Sequence, residues 1–425
     1  MQASRHSSVP MSLLLNSWPH PLSDDHPSVQ IDDLPPTYEE VKNEAERKGI
    51  LLRIVTWNQQ ARDPPPAEEL ETYLFRCRKY HVIAVGTQEC ENTFAKSIIV
   101  PSKAKWESTL QRVLGTDYDT LHSHSLQASH IILFVHKAIS HLISDIRSLA
   151  VPTGIGEKLG NKGGIGISLS IAESSFCFIN AHLAAHQHAT IKRINEFEKI
   201  SRDMGTLLLQ REECIVFSDR NGESVRRCMD EESDFLESTT HHTPQPADPE
   251  DDFISNDFEE TRDDCYESKN PLVNAFDHVF WFGDLNFRIC GTREVVDGLI
   301  ENHLHDALRC NDELTMLMRF NNTFAGLTEG PLNFFPTYKF DRNSDHYDSS
   351  QKRRVPSWTD RILYKADADV QLLSYCSAPN IKTSDHRPVY ATFKAKLDFG
   401  DGTKEYCTPS WETRRESRSE VCCIS

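Results

Sequence analysis

The chain has 425 residues, with 46 basic and 64 acidic side chains, a formal net charge of −18 and 12 Cys. No apolar run approaches the roughly 18 residues of a membrane-spanning helix. The start offers only the short Met11–Leu15 patch, with no basic stretch before it, so no secretory signal is expected. The cysteines form no C-x-x-C or C-x-x-H array, which points to reduced thiols in a cytosolic chain and away from a zinc module or disulfide scaffold. The net charge argues against a general binder of duplex DNA or anionic surfaces.

The charge is uneven. Residues 211–270 hold 19 Asp/Glu and 6 Lys/Arg, a net of −13, and the rest of the chain sums to −5. Met229–Asp264 is rich in Asp, Glu, Ser, Thr and Pro and poor in aliphatics, so 211–270 is expected to be a disordered acidic insertion. Residues 1–48 carry six Pro without periodicity and are read as a flexible leader. Residues 399–425 are polar again and are read as a flexible tail. Between them, 50–398 without the insertion leaves about 290 residues, enough for one large α/β domain.

In chain order, Leu51–Thr56, Val82–Gly86, Ile131–Val135, Gly164–Ile171, Phe176–Asn180, Val279–Phe282, Val370–Tyr375 and Val389–Phe393 are short β-branched or aromatic runs that read as buried strands. Helical patterns lie between them. Ile191, Ile194, Phe197 and Ile200 recur every three residues, and Val295, Leu299, Leu304, Leu314, Leu317 and Met318 continue in that style; all are expected in the core. Strands with interspersed helices predict two sheets flanked by helices.

Polar residues close the strands: Asn58, Glu89, His182, then Asp284 with Asn286, and Asp385 with His386 just before the last strand. One such residue is an ordinary turn former; the whole series places chemistry on one rim. A carboxylate with an amide oxygen suits Mg²⁺, which keeps waters and takes a substrate phosphate. Two histidines can donate to phosphate oxygens, and an Asp two residues before an Asn can orient water. These residues describe a metal-assisted phosphoester hydrolase without a covalent intermediate.

Trp281–Arg288 (WFGDLNFR) and Arg354–Leu363 (RVPSWTDRIL) resemble the two signature motifs of inositol polyphosphate 5-phosphatases. Thr56–Asn58, Gln88–Glu89, Gly160–Gly164, Asn180–His186, Phe335–Lys339 and Ser384–Pro388 extend the likeness in order across 50–398. Thr359 stands where many members carry Cys, and the acidic insertion is longer than usual. The resemblance implies the endonuclease/exonuclease/phosphatase fold, a four-layer α/β sandwich. It implies Asn58 and Glu89 on the Mg²⁺ side, Asp284 as the residue that orients or deprotonates water, and Asn286 beside the reacting phosphate. His182 and His386 would contact phosphate oxygens, Asp360 would orient His386 and favour its cation, and Asp385 would be a further carboxylate on or behind the metal.

Thr337–Lys365 carries seven Lys/Arg and four Asp, a net of +3. Tyr338, Lys339 and Lys352 resemble family residues that hold a 4-phosphate. Asn161 and Lys162, in a Gly-rich loop, resemble those that hold a 1-phosphate. Arg361 is counted among the substrate-binding residues. His182-x-x-x-His186 has zinc spacing but no Glu follows His182, so His186 and His188 are read as ordinary residues at a helix start. Phe94, Ile98 and Ile99 are read as a helix face packed on the core, in preference to an apolar rim that dips into a bilayer.

The last four residues, Cys422–Ser425, form a prenylation box with Ser favouring farnesyl. One lipid gives marginal anchoring, and Cys423 or Cys407 are places for a second. Pro35-Pro-Thr-Tyr38 fits the groove of a WW domain. The resulting expectation is a cytoplasmic phosphoinositide or inositol phosphate 5-phosphatase, peripheral on membranes through its prenyl group. A nuclease of the same fold would need a basic track for nucleic acid, which the chain lacks. A catalytically dead scaffold conflicts with the complete catalytic set.

Overall fold

Alternation along each strand gives the sheets two covered faces. In β1 (Ile50–Asn58), Leu52 and Ile54 join one apolar cluster while Val55 and Trp57, of opposite parity, join another. The computed structural model describes residues 43, 45, 49–76, 80–90, 103–154, 162–208, 217–218, 224–225, 270–320 and 323–400. The Pro-Pro-Thr-Tyr peptide, Phe94, Ile98, Ile99, Asn161, most of 211–270, and Cys407, Cys422 and Cys423 lie outside them.

The order is β1, α1 (Ala67–Leu74), β2 (Val82–Gln88), α2 (Ala104–Leu114), β3 (Tyr118–Leu126), β4 (Ser129–His136), a short 3₁₀ segment, β5 (Ile143–Pro152), β6 (Gly163–Ile171), β7 (Ser174–His182) and α3 (Thr190–Leu207). Then come β8 (Phe217–Ser218), β9 (Ser224–Val225), α4 (Pro271–Ala275), β10 (His278–Asp284), α5 (Arg293–Glu301), α6 (His305–Cys310) and α7 (Glu313–Phe320). β11 (Leu327–Glu329), β12 (Asp360–Lys365), β13 (Val370–Ser377) and β14 (Val389–Ala395) complete it.

Two six-stranded sheets share one pattern. The first runs β13-β14-β1-β2-β4-β3 and the second β11-β12-β10-β7-β6-β5. Each has a single parallel pair at its centre, β1 with β2 and β7 with β10, and antiparallel neighbours outside it. Leu52, Ile54, Val82, Leu133 and Phe393 of the first sheet pack with Ile165, Phe178, Phe280 and Phe282 of the second. The outer face of the first sheet is covered by Leu70, Leu74, Trp106 and Leu110 of α1 and α2. That of the second is covered by Phe197, Ile200 and Met204 of α3. The result is the four-layer sandwich of the endonuclease/exonuclease/phosphatase type. Residues 210–267 form a separate unit, in which β8 and β9 pair antiparallel. No helix among the described residues is long and apolar enough to cross a membrane.

A polar strap joins the sheets below the rim. Asn180 of β7 donates to the carbonyls of Thr87 and His130 at 3.2 and 2.9 Å and accepts from the Gln88 amide at 2.6 Å. Gly86 makes room for it: a Cβ there would lie 2.6 Å from Asn180 Cγ and 2.5 Å from a Phe282 ring carbon.

Three residues expected in the core are on the surface. Ile191 is 70% exposed, Val295 56% and Leu304 52%. A three-residue spacing drifts around a helix of 3.6 residues per turn, so Ile191 falls on the face opposite buried Ile200. His186 and His188 lie in the loop before α3 instead of starting it. Strands β3, β5, β11 and β12 had no continuous apolar run to announce them; β3 and β5 are half-buried edge strands.

Candidate active site

The second sheet builds a row of three. His182, Asp284 and Asp360 are opposite one another across β7, β10 and β12. Ladder partners share a face, so the histidine and two carboxylates emerge side by side. Asp284 follows Gly283, whose φ of 144° and whose position against Ala181 O (1.9 Å from an added Cβ) admit no side chain.

Asp284 has three close partners. Oδ2 lies 3.3 Å from His182 Nε2 and 3.0 Å from the Asn58 amide nitrogen, and Oδ1 accepts from the Asn286 N–H at 3.1 Å. Burial opposes its charge, but the His182 hydrogen bond and the charges of His386 and Lys162 outweigh it and hold the carboxyl well below the usual range. Burial, then the Lys162 ammonium, push His182 below the usual histidine range. The Lys162 ammonium touches the same Nε2, and that nitrogen serves one of its two neighbours at a time.

His386 takes the opposite state. Its Nδ1 lies 2.9 Å from Asp360 Oδ2, which also accepts from Thr337 and Thr359 at 2.9 Å each. Burial lowers the imidazole pKa, but the charge and hydrogen bond of Asp360 overcome it and raise the pKa to about 9. At neutral pH the site therefore holds a cationic histidine near an ionised Asp284, while His182 is neutral. Thr359, the departure from the usual motif, serves as a donor to Asp360.

The first sheet contributes oxygen. Asn58 places its amide between Glu89, at 3.3 Å, and Asp284, while its Oδ1 accepts from the Gln60 N–H at 3.0 Å. Glu89 follows β2 with φ of 51°. Among the described residues its carboxylate receives only the Asn58 amide and has no ion pair within 4 Å. An under-neutralised carboxylate, joined to Asp284 through one amide, fits a hard divalent cation; Asn58 would turn its Oδ1 from Gln60 to join it. Asp385 does not join it: its Oδ2 is held by Lys339 at 2.7 Å and Gln60 at 2.9 Å.

Lys339 is raised above the usual lysine range: burial lowers it, and the bond to Asp385 more than compensates. Tyr338 packs on His386 with ring centroids 4.5 Å apart. Lys352 is exposed on a turn tied to Lys339 by the Asp348 N–H, 2.8 Å from the Lys339 carbonyl. Lys162 is half-buried against His182, where burial lowers its pKa against the pull of Asp284 and Glu89.

Arg361 is not brought to the site. It is fully buried, forked onto Glu329 at 2.7 and 2.5 Å and onto Asp312 at 3.0 and 2.8 Å. It follows Asp360 in β12, and alternation sends neighbouring side chains to opposite faces. Sequence reasoning also passed over Gln60, which no pattern marked. It passed over Arg288 too, although Arg288 closes the first signature motif.

A family model described as "Endonuclease/Exonuclease/phosphatase family 2" matches residues 55–392. The chain belongs to the endonuclease/exonuclease/phosphatase family. Within that class, curated proteins similar to it are named as phosphatidylinositol polyphosphate and inositol polyphosphate 5-phosphatases. It is 30% identical over 361 residues to the human "Phosphatidylinositol polyphosphate 5-phosphatase type IV", covering 83% of this chain and 47% of the relative. It is 29% identical to a Caenorhabditis elegans synaptojanin, covering 76% and 24%. The chain thus spans about half the length, or less, of these curated relatives. Among solved structures it is similar to the inositol polyphosphate 5-phosphatase domain of SPsynaptojanin in complex with inositol (1,4)-bisphosphate and calcium ion. That match has a TM-score of 0.59 and 26% identity, covering 86% of this chain and 93% of that one. Cimex nitrophorin, at 23% identity and a TM-score of 0.55, shares the fold.

Proposed function

We propose that the protein hydrolyses the 5-phosphate of phosphoinositides, phosphatidylinositol 4,5-bisphosphate or 3,4,5-trisphosphate, and of soluble inositol polyphosphates. One observation carries this reading: the ionised Asp284 and cationic His386 share a rim with Tyr338 and Lys339, basic and aromatic groups suited to a neighbouring ring phosphate. Calcium and inositol bisphosphate in the SPsynaptojanin domain support it.

Asp284 orients the attacking water, its depressed pKa favouring alignment over early proton uptake. His386, kept cationic by Asp360, neutralises charge on the phosphate oxygens, and Lys162 adds a second positive group. Glu89 and Asn58 would hold Mg²⁺, which supplies Lewis-acid polarisation of the phosphoryl group when bound. Lys339 and Lys352 hold the adjacent phosphate. The decisive experiment is phosphate release from a panel of 5-phosphorylated lipids and soluble inositol phosphates, with Mg²⁺ and with chelator. Release confined to 5-phosphates and abolished by chelation supports the reading; equal release from nucleic acid ends overturns it.

The termini complete the proposal. A prenyl group on Cys422 would place the enzyme on the cytosolic face of membranes, and Pro35–Tyr38 would engage a WW domain. Cys422→Ser should move the protein to the soluble fraction; an unchanged distribution removes the lipid anchor.

A further inference from the structure

Arg288 ends the signature motif but has had no role in the chemistry above. Its side chain is 6% exposed and stands between two parts of the site. On one side Nη2 donates to Asn286 Oδ1 at 2.6 Å and Nε donates to the Asn286 carbonyl at 3.0 Å. On the other, its guanidinium carbon lies 4.6 Å from the centre of the Tyr338 ring, which packs on His386. The backbone is pinned at both ends: the Arg288 N–H donates to Glu313 at 2.9 Å and the Ile289 N–H to Ser357 Oγ at 3.1 Å. Ser357 in turn pairs with the backbone of Tyr338, at 2.8 and 3.2 Å.

The chemistry of these contacts fixes an orientation. Arginine only donates, and a carbonyl only accepts. With Oδ1 turned to Arg288, the Asn286 amide nitrogen must face the other way, where one N–H meets the Leu183 carbonyl at 3.1 Å. The second N–H remains for an acceptor such as a phosphate oxygen. A flipped amide would present an oxygen to the anion. Among the described residues Arg288 Nη1 has no acceptor, so the guanidinium also keeps donors in reserve.

We propose that Arg288 is a positioning residue that couples recognition of the neighbouring ring phosphate, through Tyr338, to the donor orientation of Asn286 at the reacting phosphate. A substrate phosphate that seats Tyr338 presses its ring onto the guanidinium, and the guanidinium locks the amide. The inference rests on the 5-phosphatase reading and deepens it: the preference for a substrate with two adjacent phosphates appears in turnover as well as in binding.

The test compares phosphatidylinositol 5-phosphate with phosphatidylinositol 4,5-bisphosphate as short-chain soluble lipids, using wild type, Arg288→Lys, Tyr338→Leu and the double variant. Arg288→Lys should lower kcat on the bisphosphate about 30-fold or more with KM within about threefold, and erase most of the wild-type preference between the two lipids. Tyr338→Leu, which leaves the Arg288 backbone anchors intact and so guards against a misfolded Arg288→Lys, should lower kcat on the bisphosphate and erase most of the preference, with kcat on the monophosphate within about threefold of wild type. The double variant should lose little beyond the worse single one, as coupled residues do. Additive losses, or an Arg288→Lys protein that keeps the wild-type preference, overturn the coupling while leaving the 5-phosphatase reading intact. A folded wild type that releases phosphate from neither lipid overturns both.

Discussion

The two sheets share one strand pattern and supply the site in different ways. The second delivers His182, Asp284 and Asp360 from within hydrogen-bonded ladders, in one row. The first delivers Asn58 from the last position of β1, but Glu89 and His386 lie just outside its strands, His386 in an isolated bridge with Tyr338. Asp284 is held by ladder neighbours on both sides, whereas Glu89, in the bend after β2, has fewer constraints. In the proposed reaction the ladder would carry the group that aligns water, and the bend a group that meets the cation.

Asp284→Ala strikes the ladder side hardest. Phosphate release should fall about a thousandfold or more with the fold retained; near-normal release would move the chemistry off the second sheet. Asp360→Asn tests the link between the sheets. His386 is held up to about 9 in the native state against about 6.5 for a free histidine, so its cation adds stability at low pH that fades as pH rises through about 9. Removing the carboxylate lowers that pKa, so the alkaline limb of the pH–rate profile should move to lower pH and kcat should drop about 100-fold. An unmoved limb would detach His386 from Asp360.

Arg361→Met should cost about 3–5 kcal/mol by stranding Asp312 and Glu329 in the interior, with KM of the folded protein within about twofold of wild type. Urea unfolding beside steady-state kinetics separates the two; a raised KM with unchanged stability would return Arg361 to the substrate. Asn180→Ala removes the strap between the sheets. It takes a donor from two carbonyls and an acceptor from the Gln88 amide, which keeps only Thr56, and should cost about 2 kcal/mol, measured by the same unfolding curve. A neutral result would mean that apolar packing alone registers the sheets.

β1, β2, β4, β6, β7, β10 and β14 were legible because they are covered on both faces and so are nearly continuously apolar. Edge strands β3 and β5 were not, since residues such as His122, Ser123 and His124 meet only partial cover. At the site, residues that end strands were readable from sequence. What sequence could not show was direction: Asp360 and Arg361 are adjacent in one motif, yet one faces the rim and the other an interior ion cluster. Nor could it show that Asp385 would spend its charge on Lys339, because that pairing depends on a loop approach 46 residues away.

One pairing has a consequence during synthesis. β1 lies between β2 and β14, and β14 is the last strand of the domain, with His386 just ahead of it. A ribosome adds about 5–20 residues per second, so β1 waits on the order of half a minute for its second neighbour. Until then the first sheet has an open edge at its centre, and the nascent chain lacks the cation that faces Asp284. The site cannot form piecemeal: Asn58, Glu89, His182 and Asp284 all emerge before the histidine that completes the set.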